Sequence, residues 1–557
     1  MTTATTPAAG GTMSGFTGTG ALLRLAFRTD RVRMVVWVLS LTALAVSQVA
    51  GTVAQYPTQA DLARLAATFG TTGANPALVA VTGPVYDATT YGGATAWQVV
   101  TFQTLLVGLM SLLLVVRHTR AEEEAGRAEL VHSAVVGRYA LPAASVLYVL
   151  LVNAALAALT ALGFVAYKLP VAGSVAIAVG CGLGGLTFAA VALLSAQLTE
   201  QARTASGLAG TLLGVAFLLR AVGDSAAGAG GGGWLSWATW ASPIGWAQQL
   251  RPYAGDRWWT LLLPLALILA LLVAAMALVG HRDVAAGLLP PRLGEPSAPP
   301  WLRSPLALAW RLQRGSLLGW TAALFIAGAS FGGIAQDMEA FGRNDPSLAE
   351  TMAKLTGSSG SIVDLYLAYI FAMFAAVVAV YAVQAMLRMR AEETGNRAEP
   401  VLATAVTRVG WVGGHALCAA AGSAVVLAAG GLGAGLAHGL RTGDLATAVP
   451  RLVGAALVPL PAVWLLAGVG LALFGLLPRA AVAVAWAAVG VAVVIDFFGP
   501  VLNLRQPILD LSPFVHLPKL PGVAFQATPL AWLLGIGAVL AAAGLVGFRR
   551  RDLSPIT

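Results

Sequence analysis

Charged side chains are scarce in this chain of 557 residues: Asp, Glu, Lys and Arg make up 10% of it, against 58% for hydrophobic residues. Soluble domains carry about 25% charged residues. So little charge cannot cover a water-soluble surface, and the mean hydropathy of +0.79 indicates the same. The composition therefore excludes a set of soluble domains and predicts a polytopic, all-α membrane protein.

Cysteine and lysine are also scarce. Cys181 and Cys418 lie in separate apolar runs, which excludes a disulfide framework and a thiolate metal site. Each of the three lysines is followed by leucine, whereas a phosphate-binding P-loop needs Gly-Lys-Ser or Gly-Lys-Thr. The chain therefore carries no ATPase motif of this kind, and we expect no catalytic residues, cofactor or metal in it.

Long apolar runs are abundant by contrast. A membrane-spanning helix needs about 20 predominantly apolar residues, and twelve segments qualify, six on each side of a proline-rich break. The twelve begin near Val35, Trp97, Leu141, Ala172, Ala205, Trp259, Leu317, Leu365, Trp411, Leu452, Ala480 and Pro529.

The proline-rich break and the N-terminus suggest the domain boundaries. The break holds six prolines and reads as an extended linker. The start of the chain is rich in Thr, Gly and Ala without a basic stretch or cleavage pattern, so we expect no signal peptide there. The predicted organisation is a disordered cytoplasmic tail (1–20), a first six-helix half (21–283), a cytoplasmic linker (284–304) and a second six-helix half (305–557).

Basic residues are distributed unevenly between the two sides of the membrane. With both termini in the cytoplasm, 22 of the 33 Lys and Arg residues fall on the inner side. Such a bias sets the orientation of membrane proteins, so we predict a multi-pass plasma-membrane protein with cytoplasmic termini. The arginines lie between apolar runs, which explains the net charge of +9 without a nucleic-acid partner.

The two halves contain matching segments in the same order. RAEEEAGRAELVHSAVVGR (Arg120–Arg138) aligns without gaps to RAEETGNRAEPVLATAVTR (Arg390–Arg408), with ten of nineteen positions identical. LAFRTDR precedes the first span and LAWRLQR the seventh, and a Ser-Pro pair recurs at the same offset of 270 as the loop. Because each unit has an even number of spans, the sequence predicts two parallel six-helix repeats.

The duplicated loop after the second span keeps acids as well as arginines in both copies. Glu123 and Arg127 are four residues apart, as are Glu393 and Arg397, a spacing that stabilises exposed helices. Acids contribute little to topology, so retention of both signs favours a docking surface for a cytoplasmic partner. A solvated connector that only fixes topology is the alternative.

These residues resemble a known family. The R-x-E-E-x-x-G-R-x-E-L pattern resembles the cytoplasmic motif of type-2 ATP-binding-cassette exporter permeases. The fused six-plus-six layout and SPIGWAQQLRPYAGDRWW (Ser242–Trp259) resemble more specifically the polyketide-antibiotic exporters of the tetronasin-resistance kind. The resemblance implies export of hydrophobic or amphipathic compounds by alternating access. It also implies two kinds of partner. One is the lipid bilayer, and the other is a separate ATPase, present in two copies, which would bind ATP and Mg.

The resemblance also implies roles for particular segments. LAFRTDR and LAWRLQR would be interfacial elbow helices, with topology anchors that do not move as the alternative. The loop after the second span would be a coupling helix on the ATPase, although Asn396 and Pro400 depart from the pattern of the first copy. The implied ATPase-coupling residues are Arg120, Glu122, Glu123, Gly126, Arg127 and Glu129, with Arg390, Glu392, Glu393, Arg397 and Glu399 in the second copy.

Ionisable residues inside the spans are few, and such groups are functional candidates. Asp496 lies near the outer end of the eleventh span, Arg220 at that of the fifth, and His415 near the start of the ninth. We hypothesise that Arg220 and Asp496 pair across the axis between the repeats and close the pathway. The resemblance places helices two, five, eight and eleven along that pathway. Their aromatic candidates, which helix packing would equally explain, are Phe102, Phe217, Phe371, Phe374 and Phe497.

Other function classes stay open. A proton-coupled drug antiporter would need intramembrane carboxylates, and Asp496 is the clear example, with Asp364 at the edge of the eighth span. A membrane enzyme acting on lipid-linked substrates would need paired carboxylates or a His/Asp cluster, and the acids at 122–124 form the one cluster. A non-transporting scaffold is the last alternative.

Overall fold

A computed structural model gives the fold. It describes residues 15–69, 76–133, 135–228, 233–281, 287–289, 296–344, 361–499 and 504–552. The regular elements in these ranges are all helices, with no strand among them. The chain divides into two compact units, Met1–Gly294 and Glu295–Thr557.

The first unit contains eleven described α-helices and two short 3-10 helices. The 3-10 helices are Trp234–Ala241 and Trp258–Leu261. The α-helices are α1 (Thr19–Gln55), α2 (Gln59–Phe69), α3 (Pro76–Thr82), α4 (Tyr91–His118), α5 (Arg120–Glu124), α6 (Arg127–His132), α7 (Ala140–Ala166), α8 (Val171–Leu198), α9 (Ala202–Gly228), α10 (Pro243–Gln249) and α11 (Leu262–Val279).

The second unit contains ten described α-helices. They are α12 (Pro305–Ala335), α13 (Asp337–Asn344), α14 (Ile362–Thr394), α15 (Ala398–Leu402), α16 (Arg408–Thr442), α17 (Leu445–Leu457), α18 (Leu460–Leu476), α19 (Ala481–Phe498), α20 (Gln506–Leu509) and α21 (Ala527–Arg550).

Eleven stretches of described helix are long and apolar enough to cross a membrane, judged by length and composition. They include every predicted span except the eleventh. That segment forms α19, a shorter apolar helix of 18 residues. The tenth, Leu445–Leu476, is made of α17 and α18, which are separated at Pro459, a residue that has no backbone N–H to donate.

Polar side chains mark where several long helices begin. Thr90 accepts a hydrogen bond from the Gly93 N–H at the start of α4, and Thr407 accepts one from Gly410 at the start of α16. Ser304 does the same for α12, with Pro305 at the first helical position. Each oxygen satisfies an N–H that the helix leaves unpaired.

The same sequence of neighbours occurs inside each unit. In the first, α1 packs against α7, α4 against α8, and α8 against α11. In the second, α12 packs against α16, α14 against α18, and α18 against α21. Numbered by predicted span, both units pair the first with the third, the second with the fourth, and the fourth with the sixth.

Glycine permits the closest of these contacts. A Cβ on Gly328 of α12 would lie 2.0 Å from the carbonyl oxygen of Gly430 in α16. A Cβ on Gly475 of α18 would come equally close to the Gly544 carbonyl in α21. Small residues let helix backbones approach in this way, which gains van der Waals contact where lipid supplies no hydrophobic drive.

The expectation of separate elbow helices needs correction. LAFRTDR lies within the continuous 37-residue helix α1, and LAWRLQR within α12, so neither forms a separate elbow helix. No proline interrupts either segment, and the hydrogen-bond ladder therefore continues into the span. Residues 1–14 of the expected tail lie outside the described residues. At Gly15 the chain is already held, because its carbonyl accepts the Tyr139 N–H at 2.8 Å.

Candidate functional site

The loop that follows the second span of each half turns at one residue with positive φ. In the first half, α5 and α6 are separated at Gly126, whose φ is +72°. In the second, α14 ends at Thr394 and α15 begins at Ala398, with Asn396 at φ +54°. Glycine and asparagine adopt this left-handed conformation more readily than other residues. The replacement of Gly126 by Asn396 thus preserves the turn.

An arginine on the approach to each turn pairs with a glutamate three residues later. Arg120 Nη1 donates to Glu123, and Arg390 Nη1 donates to Glu393 Oε2 at 2.9 Å. Both arginines are buried, with 1% and 8% of their surface exposed. The pair occupies the same two positions in both halves, 270 residues apart.

A second ion pair crosses each turn. Arg127 donates from Nε and Nη2 to the two oxygens of Glu122, at 2.6 and 2.8 Å. Arg397 donates from Nε to Glu392 Oε2 at 2.8 Å. The hydrogen bond to the Glu122 carboxylate raises the pKa of the Arg127 guanidinium above its usual value.

These pairs correct the spacing expected from the sequence. The Glu123–Arg127 and Glu393–Arg397 pairs, four residues apart on one helix, were expected. The turn breaks the helix between them, so their side chains no longer share one helical face. Each glutamate pairs backward with the buried arginine, and each arginine pairs across the turn.

The rest of the chain holds the two loops differently. In the first, Arg120 Nε donates to the Thr199 carbonyl, and Glu124 accepts the Ala202 N–H at 2.9 Å, which ties the loop to the α8–α9 connection. In the second, both Nη groups of Arg551 bind Glu393. An arginine near the C-terminus thus holds the second loop, and no local pattern indicates it because it is 158 residues from Glu393.

Exposure separates the coupling candidates into two classes. Buried positions, represented by Arg120, Glu392 and Glu393, stabilise the turn from inside. The side chains that a partner could reach are Arg127, Glu129, Arg397 and Glu399. Beside them Leu130 is 75% exposed. The predicted role of all these residues in ATPase coupling stays a prediction.

A buried acid that sequence analysis missed connects α1 to the end of α4. Asp30 is 2% exposed. It accepts hydrogen bonds from Arg117 Nε at 2.9 and 3.0 Å and from Arg33 Nη1 at 3.1 Å, and its Oδ2 lies 2.9 Å from His118 Nε2. The signal available in the sequence was an aspartate among four arginines just before an apolar run.

Arg220 has a partner within its own unit. Its Nη1 lies 3.5 Å from Asp224 Oδ2, one helical turn further along α9, and its Nη2 lies 3.3 Å from the Val81 carbonyl. Its guanidinium also stacks 4.6 Å from the Phe217 ring centre. The i,i+4 spacing could have revealed Asp224. The pairing of Arg220 with Asp496 stays a prediction.

Asp496 lies in the last turns of α19 and is 7% exposed. Its Oδ1 accepts no hydrogen bond from the described residues. Next to it, Phe497 makes an edge contact with Tyr369 of α14, with ring centres 5.9 Å apart. His415, the other intramembrane candidate, is buried, and its Nδ1 lies 3.1 Å from Gln313 Nε2.

The remaining aromatic candidates differ in burial. Phe371 and Phe374 are buried in the second unit, 6.1 Å apart between ring centres, and Phe374 also packs near Phe331. Phe102 in α4 is 41% exposed. Their role in a substrate pathway stays a prediction.

Comparison with known proteins decides the family. The chain is 43% identical over 541 residues to the multidrug efflux system permease protein Rv1217c of Mycobacterium tuberculosis (strain ATCC 25618 / H37Rv), covering 97% of this chain and 96% of that protein. The chain belongs to this multidrug efflux permease family. A family model described as the C-terminal domain of that permease also matches residues 302–549. The repeated loops and the buried Asp30 network are therefore features of a multi-pass membrane permease.

Proposed function

We propose that this permease is the membrane-spanning subunit of an ATP-driven exporter of hydrophobic and amphipathic compounds, antibiotics and other drugs among them. Two copies of a separate ATPase, which bind ATP and Mg, would dock on the cytoplasmic loops. ATP binding would draw the loops together and switch the permease from inward- to outward-facing. Multidrug efflux is the activity in the name of its relative in Mycobacterium tuberculosis.

One observation carries the proposal: the same salt-bridged turn occurs twice. Arg120–Glu123 and Glu122–Arg127 recur as Arg390–Glu393 and Glu392–Arg397. Internal ion pairs hold each turn in a defined shape, and a defined shape is what a rigid docking surface needs. A connector that only fixes topology has no need of the acidic partners.

The shared order of helix neighbours in the two units supports an architecture of twelve spans arranged as two parallel six-helix repeats. A Ser-Pro corner recurs as well. Ser242 donates to the Ala216 carbonyl of the fifth span at 2.6 Å, and Ser512 donates to the Ala492 carbonyl of the eleventh at 2.9 Å. α19, at 18 residues, would then cross the membrane with little tilt.

The test is co-purification of an ATPase with the tagged permease from its native membranes in mild detergent. We expect ATPase activity and two ATPase copies per chain. Glu129→Lys with Glu399→Lys reverses two exposed charges without touching the internal ion pairs, and this double variant should lose the ATPase. Asp510→Lys, an exposed acid in the α19–α21 connection, is the matched control and should retain it.

The opposite outcomes would distinguish between the alternative functions. A permease that purifies alone from membranes where its host normally makes it contradicts the proposal. Equal ATPase recovery from the double variant and from wild type would remove the docking role of these loops. If the chain purifies alone and drug export is abolished by Asp496→Asn, a proton-coupled antiporter replaces the ATP-driven exporter.

The outer closure by Arg220 and Asp496 is part of the proposal. Because Asp224 already lies beside Arg220, reversal of Asp496 should weaken export without unfolding the first unit. Rescue of Asp496→Arg by Arg220→Asp would support the pairing, and independent effects of the two substitutions would contradict it.

A further inference from the structure

A cavity of about 550 Å³ opens between α1, the loop after α4 and the start of α7. One part of its wall is apolar and includes Leu22, Leu25 and Leu141. The other part is polar and includes Thr29, Ser145 and Arg117. Such a division suits a ligand with one apolar and one polar end.

An unpartnered buried hydroxyl lies in the polar wall. Ser145 is 1% exposed, and its Oγ forms no hydrogen bond with the residues that the structure describes. Burial of a hydroxyl without a partner costs free energy, so such groups normally have one. A polar group of a bound ligand would supply it.

Two cations face the same space. Arg117 uses Nε to bind Asp30, and its Nη1 and Nη2 groups make no hydrogen bond to the residues that the structure describes, so they can donate to a ligand. Arg127 lines the cavity beside Glu122. The adjoining turns of α1 add Arg24, Arg28 and Arg31, so the surroundings are positive overall even with the acids Asp30 and Glu122 counted. Arginine favours phosphate through paired N–H donors.

The second half carries larger or uncharged residues at several of the equivalent positions. His415 stands where the first half has Ser145. It is buried, and its Nδ1 lies 3.1 Å from Gln313 Nε2. Trp411 stands where the first half has Leu141, and it is buried with its ring 5.2 Å from that of His415. The same offset of 270 places Leu387 where the first half has Arg117, and the match of LAFRTDR with LAWRLQR places Leu312 and Gln313 where it has Thr29 and Asp30. The combination of Thr29, Arg117 and Ser145 is therefore particular to the first copy.

We propose that this cavity binds the phosphate of an anionic phospholipid headgroup and the beginning of one acyl chain. The phosphate accepts hydrogen bonds from Arg117 and Ser145, and the chain lies along Leu22, Leu25 and Leu141. The site is separate from the proposed substrate pathway and does not rest on the ATPase proposal. Because Glu122 and Arg127 also line it, the lipid contacts one end of the first loop.

The experiment titrates the purified full-length permease with phosphatidylglycerol and counts bound lipid by native mass spectrometry. We expect one tightly held lipid in wild type. Arg117→Leu and Ser145→His should each weaken this binding roughly tenfold, the scale of one charge-assisted hydrogen bond. Both substitutions install the residue that the second half already carries. Thr29→Leu, a third such substitution, tests the cavity if either variant fails to fold.

The controls separate the site from general charge and from free phosphate. Arg314→Leu removes an exposed arginine from α12 of the second half and should leave binding unchanged. Equal binding of phosphatidylcholine, which has a phosphate but no net charge, would overturn the preference for an anionic headgroup. Competition by glycerol phosphate as strong as that by the lipid would overturn the role of the apolar wall. Unchanged phosphatidylglycerol binding in folded Arg117→Leu, Ser145→His and Thr29→Leu variants would overturn the site.

Discussion

Asp30 shows how one buried carboxylate can hold two helices together. Its carboxylate contacts Arg33, Arg117 and His118, which come from two helices. A carboxylate without such partners would be costly to bury. The network therefore fixes the end of α4, and with it the start of the duplicated loop, against the first turns of α1.

A double-mutant cycle tests this network. We expect Asp30→Gln and Arg117→Leu each to destabilise the permease, because each leaves part of an ion pair without its partner. The double variant should be more stable than the sum of the single losses predicts, by about 0.5–3 kcal/mol, the range for residues in contact. The second half carries this combination naturally, as Gln313 and Leu387. Thermal unfolding in detergent measures the effect, and strict additivity would contradict direct coupling.

Gly126 allows a second test at the residue scale. No heavy atom lies within 4 Å of the position its Cβ would take, so space does not limit substitution, but its positive φ does. Gly126→Val should cost about 1–2 kcal/mol from left-handed backbone strain. Gly126→Asn, which copies Asn396, should cost less. Equal unfolding temperatures for the two variants would mean that the turn relaxes to another conformation.

At the scale of helices, glycines at close backbone contacts determine which spans touch. Gly328 faces the backbone of α16, whereas a Cβ on Gly319 of the same helix would meet no heavy atom within 4 Å. This contrast shows that two glycines on one apolar helix have different roles. The sequence alone does not distinguish them.

The two glycines form a matched pair for substitution. Gly328→Val should push α12 away from α16 and destabilise the second unit by about 1–3 kcal/mol, the usual cost of overpacking. Gly319→Val should change stability little, since its side chain has open space. The measurement is thermal unfolding in detergent. A loss from Gly319→Val as large as that from Gly328→Val would indicate a helix-wide effect rather than a contact.

The whole molecule has an orientation that cysteine labelling can determine. Cys181 and Cys418 are buried and should react slowly, so the background is low. Leu130, at 75% exposure in the first loop, and Leu511, at 71% before α21, are accessible positions. We expect an impermeant maleimide to label the Leu511→Cys variant in intact cells and the Leu130→Cys variant only after permeabilisation. The reverse pattern would contradict cytoplasmic termini.

Composition and hydropathy determined the class of the protein and the position of its spans. Apolar runs are local, and a chain with 10% charged residues has no soluble alternative. The duplication of the loop was also visible in the sequence, because its ten identical residues align in the same order without a gap. The side-chain partners within that loop were not, since the pairing of Glu122 with Arg127 depends on a turn at Gly126 that breaks the expected helix.

Only the tertiary structure decided contacts between distant segments. Arg120 meets Thr199, Glu393 meets Arg551, and Asp30 meets Arg117, across separations of 79, 158 and 87 residues. Helix packing brings these groups together, and hydropathy does not specify which face of a helix contacts which neighbour. The cavity beside Ser145 is likewise a property of packing, because the equivalent position in the second half holds a buried histidine.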